Sequence, residues 1–365
     1  MTSSRFEIQP IGKWHGVSAA IKRPREIAYF SYDDKHQFRL DESSLRYYYP
    51  PQLGADLCRG FDTFEKLDDT ADDHLDSLLK TIVAHEQETG QKVDAEIITW
   101  RGMMTKIMGT PFGDRDGFIE EDHAYKLASH ARQSSQVSQP GRPSQDMMSF
   151  WGRRDAQSDI PVLIVSRDYI ENRGNEVVNN YSQYCSVVRT GIGSTAIILG
   201  GEVDAVWDAK PSIPGMPIKW VELKTSVDPR SDRDMLSFER KLMKFWIQSF
   251  LLGVPKIIVG FRDPNGILLR TEEMETASIP NTVKRRGKGS WDGNMCINFT
   301  AGFLEFLKKT IIGDGVWRIR RRERSPFIEV FRIEETGHGD ILTDEFINWR
   351  IKLVLDSSPV QESKS

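Results

Sequence analysis

The sequence predicts an α+β (mixed α/β) fold in a single domain, and three observations predict it. Segments with the two-residue alternation of a strand and segments with the 3.6-residue stripe of a helix are both present. They do not alternate as regular β-α-β units, and no internal repeat is visible. The 365 residues, 39% hydrophobic and 28% charged, are chain enough to bury a substantial core. Residues 1–25 are expected to form an irregular lead-in, 26–355 the domain and 356–365 a frayed tail.

Taken in order, "DDHLDSLLKTIVAHEQETG" (72–90) predicts an amphipathic helix with Leu75, Leu78, Leu79, Ile82 and Val83 as its stripe. Asp72 and Asp73 suit its positive start and Gly90 its end. "AEIITWRG" (95–102) predicts a short strand running into a turn, and the Ser/Gln/Pro-rich 131–145 a loop. "YCSVVRTGIGSTAIILGGEVDAVWD" predicts a hairpin and "IKWVELKTS" a further strand. A helix over 237–254, stopped by Gly253 and Pro255, a strand over 256–262 and a helix over 298–311 complete the prediction.

The formal net charge of −4 gives no global basic field, so a nucleic-acid partner would need a local basic surface. Cys58, Cys185 and Cys296 are odd in number and show no CxxC spacing, which predicts a reduced protein without structural zinc. No apolar run approaches twenty residues and no signal-peptide pattern opens the chain. The expectation is a soluble protein that is not secreted and has no membrane partner.

The chemistry is concentrated in "GGEVDAVWD" and "WVELKTS". Residues two apart on a strand share a face, so Glu202 and Asp204 form one pair and Glu222 and Lys224 another. Pairing of the two strands would bring three carboxylates and an ammonium together, and the carboxylates would repel unless a cation neutralised them. Oxygen ligands of this kind suit Mg²⁺ or Mn²⁺. On the following helix Lys244 and Gln248 share a face available to an anionic substrate. Acid-x-acid, acid-x-Lys and then a helix with Gln is the layout of restriction-nuclease-like two-metal phosphodiesterases. An alternating charged strand is as readily a solvated face as a metal site, although apolar residues flank these acids on both sides.

These residues carry a wider resemblance. With "LRYYYPP" (45–51), "TWRG" (99–102), "YCSVVRTGIG" (184–193), "GEVD" (201–204), "VELKTS" (221–226), "KFWIQSFLLGVP" (244–255) and "GFRDPNG" (260–266), the chain resembles fungal members of the DXO/RAI-type decapping and 5′-end RNA nuclease family. The resemblance spans roughly residues 20–350 and implies two β-sheets with surrounding helices around a restriction-nuclease-like metal core. It also implies hydrolysis at RNA 5′ ends, removing NAD caps, unmethylated caps or 5′-triphosphates, in some members followed by 5′→3′ exonuclease action. By similarity Glu202, Asp204, Glu222 and the backbone carbonyl of Leu223 would bind the metal, Mg²⁺ or Mn²⁺, as two ions. Lys224 and Gln248 would contact the scissile phosphate, Arg101 the RNA or its 5′ phosphates, and Cys185 would lie near the substrate. The implied partners are RNA 5′ ends and a nuclear 5′→3′ exoribonuclease. The implied location is the nucleus, with the cytoplasm as alternative.

One departure bears on activity. The family carries a Gly-hydrophobic-x-hydrophobic-Glu motif before "YCSVV", whereas here Gly152 is followed by Arg153, Arg154, Asp155 and Ala156. The glutamate position is an alanine, and the chain is also short between Asp116 and Glu120. Either the chain has diverged here or this stretch is out of register with the expressed protein. A weakened metal site is one expectation, and an accessory protein that binds RNA ends and stabilises an exoribonuclease is the alternative. "KRRGKG" (284–289) and "RIRRRER" (318–324) are expected to be solvated faces, with RNA contact or nuclear import as the sharper reading. His74 among acids is expected to mark a helix start rather than a metal ligand, and Trp246 and Phe250 to be core.

Overall fold

Strand alternation and amphipathic stripes sort the chain into two sheets with helices packed on them. The computed structural model describes residues 3–60, 63–67, 74–113, 118–127, 147–151, 179–213, 215–287, 289–313, 315–334 and 341–357. Strand β1 (Ser4–Glu7) precedes the long β2 (Ile21–Tyr32) and β3 (Phe38–Arg39). Helix α1 (Asp76–Thr89) leads to β4 (Ile97–Trp100), which passes directly into α2 (Arg101–Gly109). Then come β5 (Phe118–Leu127), β6 (Met147–Trp151), β7 (Gln183–Ile192), β8 (Thr195–Glu202), β9 (Ala205–Val206) and β10 (Trp220–Val227). Helix α3 (Asp232–Leu252), β11 (Lys256–Arg262), β12 (Leu268–Glu275), α4 (Ile279–Arg285) and α5 (Gly293–Thr310) follow. The hairpin β13 (Val316–Arg321)–β14 (Phe327–Glu334) and α6 (Asp344–Ser357) end the described chain.

Ten strands form the larger sheet in the order β1-β14-β13-β5-β6-β4-β8-β7-β2-β3, and four form the smaller in the order β12-β11-β10-β9. Period-2 alternation gives the larger sheet two buried faces. Ile97, Ile197, Leu199 and Val188 face α2, α3 and α5. Ile98, Ile198 and Val187 face α1 and α6. Leu75, just before α1, and Leu78, Leu79 and Ile82 within it are fully buried, each contributing about 1.5–3 kcal/mol by burial. The smaller sheet turns Ile257, Val259 and Phe261 into the main core and Val221, Leu223 and Ile258 toward Tyr48 and Trp207. No helix among the described residues is long and apolar enough to cross a membrane.

Several boundaries differ from the sequence reading. Residues 1–25 are not irregular throughout, because β1 pairs with β14 from Ser4↔Val330 to Glu7↔Phe327. Its alternating pattern closes one edge of the larger sheet. Helix α1 begins at Asp76 and not at 72, since His74 adopts a left-handed φ of 43° that a helix cannot pass through. Asp72 and Asp73 lie outside the described residues, but Gly90 caps the helix as expected, at φ 66°. "RG" of "TWRG" opens α2 rather than a turn, because Met103, Met104, Ile107 and Met108 supply a buried stripe. Helix α3 starts earlier than 237, where Ser231 accepts a hydrogen bond from the Asp234 amide. Helix α5 likewise starts earlier than 298, capped by Asp292 through the Met295 amide.

The β7–β8 hairpin, β10 and β11 form where the pattern put them. A strand occupies 118–127, where the chain was read as short. The predicted loop over 131–145 and the segment Gly152–Ala156 lie outside the described residues. None of the three cysteines is disulfide-bonded.

Candidate active site

The two acidic pairs meet where the chain leaves one sheet for the other. Strand β8 ends at Glu202, which stands opposite Cys185 of β7 in the larger sheet. Val203 still donates its amide to the Tyr184 carbonyl. From Ala205 the chain belongs to the smaller sheet, where Ala205 pairs with Val221 and Val206 with Trp220. The expected direct pairing of the "GEVD" strand with the "VELKTS" strand is therefore replaced by a two-residue strand, β9. Asp204 sits at the crossing, where extending the β9 register by one residue sets it opposite Glu222. Its carboxylate takes over the ladder there, Oδ2 accepting the Leu223 amide at 2.6 Å.

On β10, parallel pairing with β11 puts Glu222 beside Ile257 and Lys224 beside Val259, the residues that face the main core. The apolar Val221 and Leu223 take the outer face instead. This rules out a solvated face for Glu222 and Lys224, because the charges are on the inside. The Glu222 side chain is only 1% exposed. Lys224 Nζ lies 2.8 Å from its Oε1 and Arg101 Nη1 3.4 Å from its Oε2. Burial pushes the Glu222 carboxyl upward, but the two cations outweigh it and hold the group below its ordinary value. For Asp204 the balance reverses. Burial first, then the Glu222 and Glu202 charges, push it up to about 8 against the pull of Lys224.

Helices bring the remaining residues. Arg101 is the first residue of α2, directly after β4, and reaches the carboxylates because Gly201 lies under it. A Cβ on Gly201 would stand 2.9 Å from Arg101 Cβ and 2.9 Å from Leu252 Cδ1. Gly200 does the same for the other face, where a Cβ would meet the Trp100 ring at 2.8 Å. The sequence reading gave neither glycine a role. Their signal was a Gly-Gly pair inside a strand, which marks close approach of neighbouring elements. Gln248 is buried near the end of α3, between Phe245, whose ring is 5.7 Å from Lys224 Nζ, and Leu252 against Gly201. Lys244, one turn earlier, is half-buried.

The arrangement joins Arg101, Glu222, Lys224 and Asp204 by contact or charge, sets Cys185 beside Glu202, and holds Gln248 next to them. Among the described residues, no three His, Cys, Asp or Glu side chains close on one point as a ready-made ion site. The donor chemistry nonetheless fits a hard divalent cation. The Glu222 and Glu202 charges add to burial in raising the proton affinity of Asp204, and a cation beside it would relieve that repulsion. Among the described residues His74 joins no such cluster, and its carbonyl accepts the Trp100 indole N–H at 2.7 Å. Trp246 is core, stacked 5.3 Å from Trp291. In "RIRRRER", Arg321 is buried and donates to the Gly113 carbonyl at 2.9 Å, so part of that cluster is structural. In "KRRGKG", Lys284 and Arg285 are exposed.

Residues 22–347 match the model of the RAI1-like PD-(D/E)XK nuclease family. The chain belongs to that family. A decapping nuclease RAI1 of Gibberella zeae is 58% identical over 372 residues, covering 98% of this chain and 99% of its own. One of Emericella nidulans is 59% identical over 356 residues, covering 96% and 99%. Among solved RAI1 family structures, Candida albicans Rai1 in complex with pU5 and Mn²⁺ superposes with a TM-score of 0.79 at 28% identity, covering 97% of this chain and 100% of its own. Scheffersomyces stipitis Rai1 in complex with (3′-NADP)⁺ and calcium gives 0.77 at 26% identity, covering 96% and 100%.

Proposed function

We propose that this chain is a metal-dependent phosphodiesterase of RNA 5′ ends that removes non-canonical or incomplete caps, such as NAD caps and unmethylated caps, and 5′-triphosphates. The observation that carries the reading is the buried Glu222, held by Lys224 and Arg101 at the sheet crossing beside Asp204. Relatives named decapping nucleases, and solved relatives holding pU5 or (3′-NADP)⁺ with divalent ions, support the substrate class.

In this reading Glu202, Asp204, Glu222 and the Leu223 carbonyl hold divalent metal, Mg²⁺ or Mn²⁺, as two ions. Bound there, the metal supplies Lewis-acid stabilisation of charge on the phosphate and on its leaving oxygen. Arg101 holds the Glu222 carboxylate in place and presents its remaining N–H groups to the RNA phosphates. The Lys224 ammonium meets negative charge that grows on the scissile phosphate, so its contribution is largest in the transition state. The Gln248 amide orients that phosphate, and Cys185, buried beside Glu202, lies near the substrate. Exclusion of water follows from the burial of Glu222 and Gln248. A nuclear location, 5′→3′ exonuclease action and partnership with a nuclear 5′→3′ exoribonuclease belong to the same proposal.

The test is Mn²⁺- and Mg²⁺-dependent product release from 5′-triphosphate and NAD-capped RNA. The wild-type chain should cleave, and Asp204→Ala should lose turnover by at least a hundredfold while keeping its circular dichroism and melting transition. Unchanged turnover in Asp204→Ala removes the assignment. A second reading is favoured by Ala156 alone: an accessory protein that binds RNA ends and stabilises an exoribonuclease without cutting. Absence of metal-dependent product from the wild-type chain, with RNA binding retained, selects it.

A further inference from the structure

Helix α3 carries more positive charge than its packing uses. Arg233, Ser237, Arg240, Lys241, Lys244 and Gln248 recur at three- and four-residue steps and so lie along one face. The first four are exposed, Lys244 is half-buried and Gln248 is buried. The face therefore runs from solvent at Arg233 down to the candidate site at Gln248, about 22 Å along the helix axis. An ordinary solvated helix face mixes acids with its bases at four-residue spacing. This one has no acid at any of those positions. Asp234, in the first turn, is spent on the helix cap, with Ser231 Oγ at 2.8 Å and the Arg230 amide at 3.2 Å. Glu239 points to the other side, where Ser290 Oγ donates to it at 2.7 Å and Arg286 Nη1 lies 3.8 Å away. No described carboxylate forms an ion pair with Arg233, Arg240 or Lys241.

We infer that the exposed face of α3 is the track for the body of a single-stranded RNA whose 5′ end occupies the candidate site. The inference rests on the proposed function for the position of that 5′ end. Two features select the occupant. A one-sign stripe in a chain whose formal net charge is −4 is local, and its complement is a polyanion. It is also continuous with the half-buried Lys224 and the buried Gln248, where a phosphodiester would be held, so the next phosphates of the same strand fall along it. The track reads backbone and not sequence, as a basic groove does for single strands. It would thus make affinity depend on RNA length beyond the first nucleotides while leaving cap chemistry to the site.

The experiment uses the full chain and the double variant Arg240→Glu/Lys241→Glu, with Arg240→Ala/Lys241→Ala as the milder partner. Affinity for 5′-phosphorylated decauridylate is measured by fluorescence anisotropy in EDTA across a salt series. Hydrolysis of a 5′-triphosphate dinucleotide with Mn²⁺ is the control. The charge reversal should weaken decauridylate binding by at least tenfold and flatten the log–log salt dependence by about 1.4, two phosphate contacts at about 0.7 each. The alanine pair should show a smaller loss in the same direction, and dinucleotide hydrolysis should be unchanged. Unaltered decauridylate affinity and salt dependence in both variants overturns the inference, as does an equal loss on the dinucleotide. If the wild-type chain does not hydrolyse the dinucleotide, the proposed function fails, and the decauridylate comparison still decides the track.

Discussion

A missing side chain at position 201 sets how closely Arg101 can approach the carboxylates. Gly201→Ala would bring a methyl group within 2.9 Å of both Arg101 Cβ and Leu252 Cδ1, so α2 and α3 would have to shift. Overpacking of this kind costs about 1–3 kcal/mol, and urea denaturation should report a loss in that range. Because the same methyl displaces Arg101 from Glu222, turnover should fall by more than the small loss of folded protein explains. At this scale the sequence was most informative where chemistry imposes a period. Glu202, Asp204, Glu222 and Lys224 stood out because alternation puts charges where a strand needs core. Alternation also put Lys224 beside Glu222, but the second cation that holds Glu222 was not readable. Arg101 lies far from it in the chain and was assigned to the RNA alone, whereas its guanidinium also clamps the carboxylate.

Elements show the same division. The stripes of α1, α3 and α5 were legible, but their first turns were not, since a cap is a local hydrogen bond and not a pattern of burial. Helix α6 escaped notice altogether, and with it the tie that fastens the last helix to the first. Glu86 of α1 is buried with no exposed side-chain surface and meets Arg350 of α6 at 2.7 Å. Its Oε2 accepts the Trp349 indole N–H at 2.8 Å, and Oε1, the oxygen facing Arg350, also accepts the Val93 amide at 2.7 Å. No spacing rule connects residues so distant in the chain, so only the fold could bring them together. Arg350→Ala would strand a desolvated carboxylate, a loss of about 3–5 kcal/mol. Chemical denaturation should register it, and kcat at low temperature should be unchanged, since the proposed catalytic residues lie on other elements.

For the whole molecule, the fold class followed from mixed strand and helix patterns without β-α-β order. The division of strands between the sheets did not, because β9 is two residues long and carries no periodic signal. The alanine at 156 is also a matter of the whole site, since it would subtract a carboxylate from the metal-holding set. The chain as it stands should need more Mg²⁺ than Mn²⁺ for half-maximal cleavage of a 5′-triphosphate RNA, because Mg²⁺ dehydrates reluctantly and demands near-octahedral oxygens. Ala156→Glu should lower the Mg²⁺ requirement by roughly tenfold or more, about 1.4 kcal/mol of binding. Metal titrations of initial rate compare the two, and equal Mg²⁺ requirements would show that the position is silent.

The crossing at Val203–Asp204 has one more effect. Glu202 belongs to the larger sheet and Glu222 to the smaller, and the described chain between them forms one short stretch of ladder, β9. Any cation those acids share is then a rivet through two plates as well as a reagent. Its binding free energy would be divided between aligning the plates and holding the charge. Chemistry and cohesion would draw on the same few oxygens, so a substitution that loosens one sheet against the other acts on catalysis without touching a reacting atom.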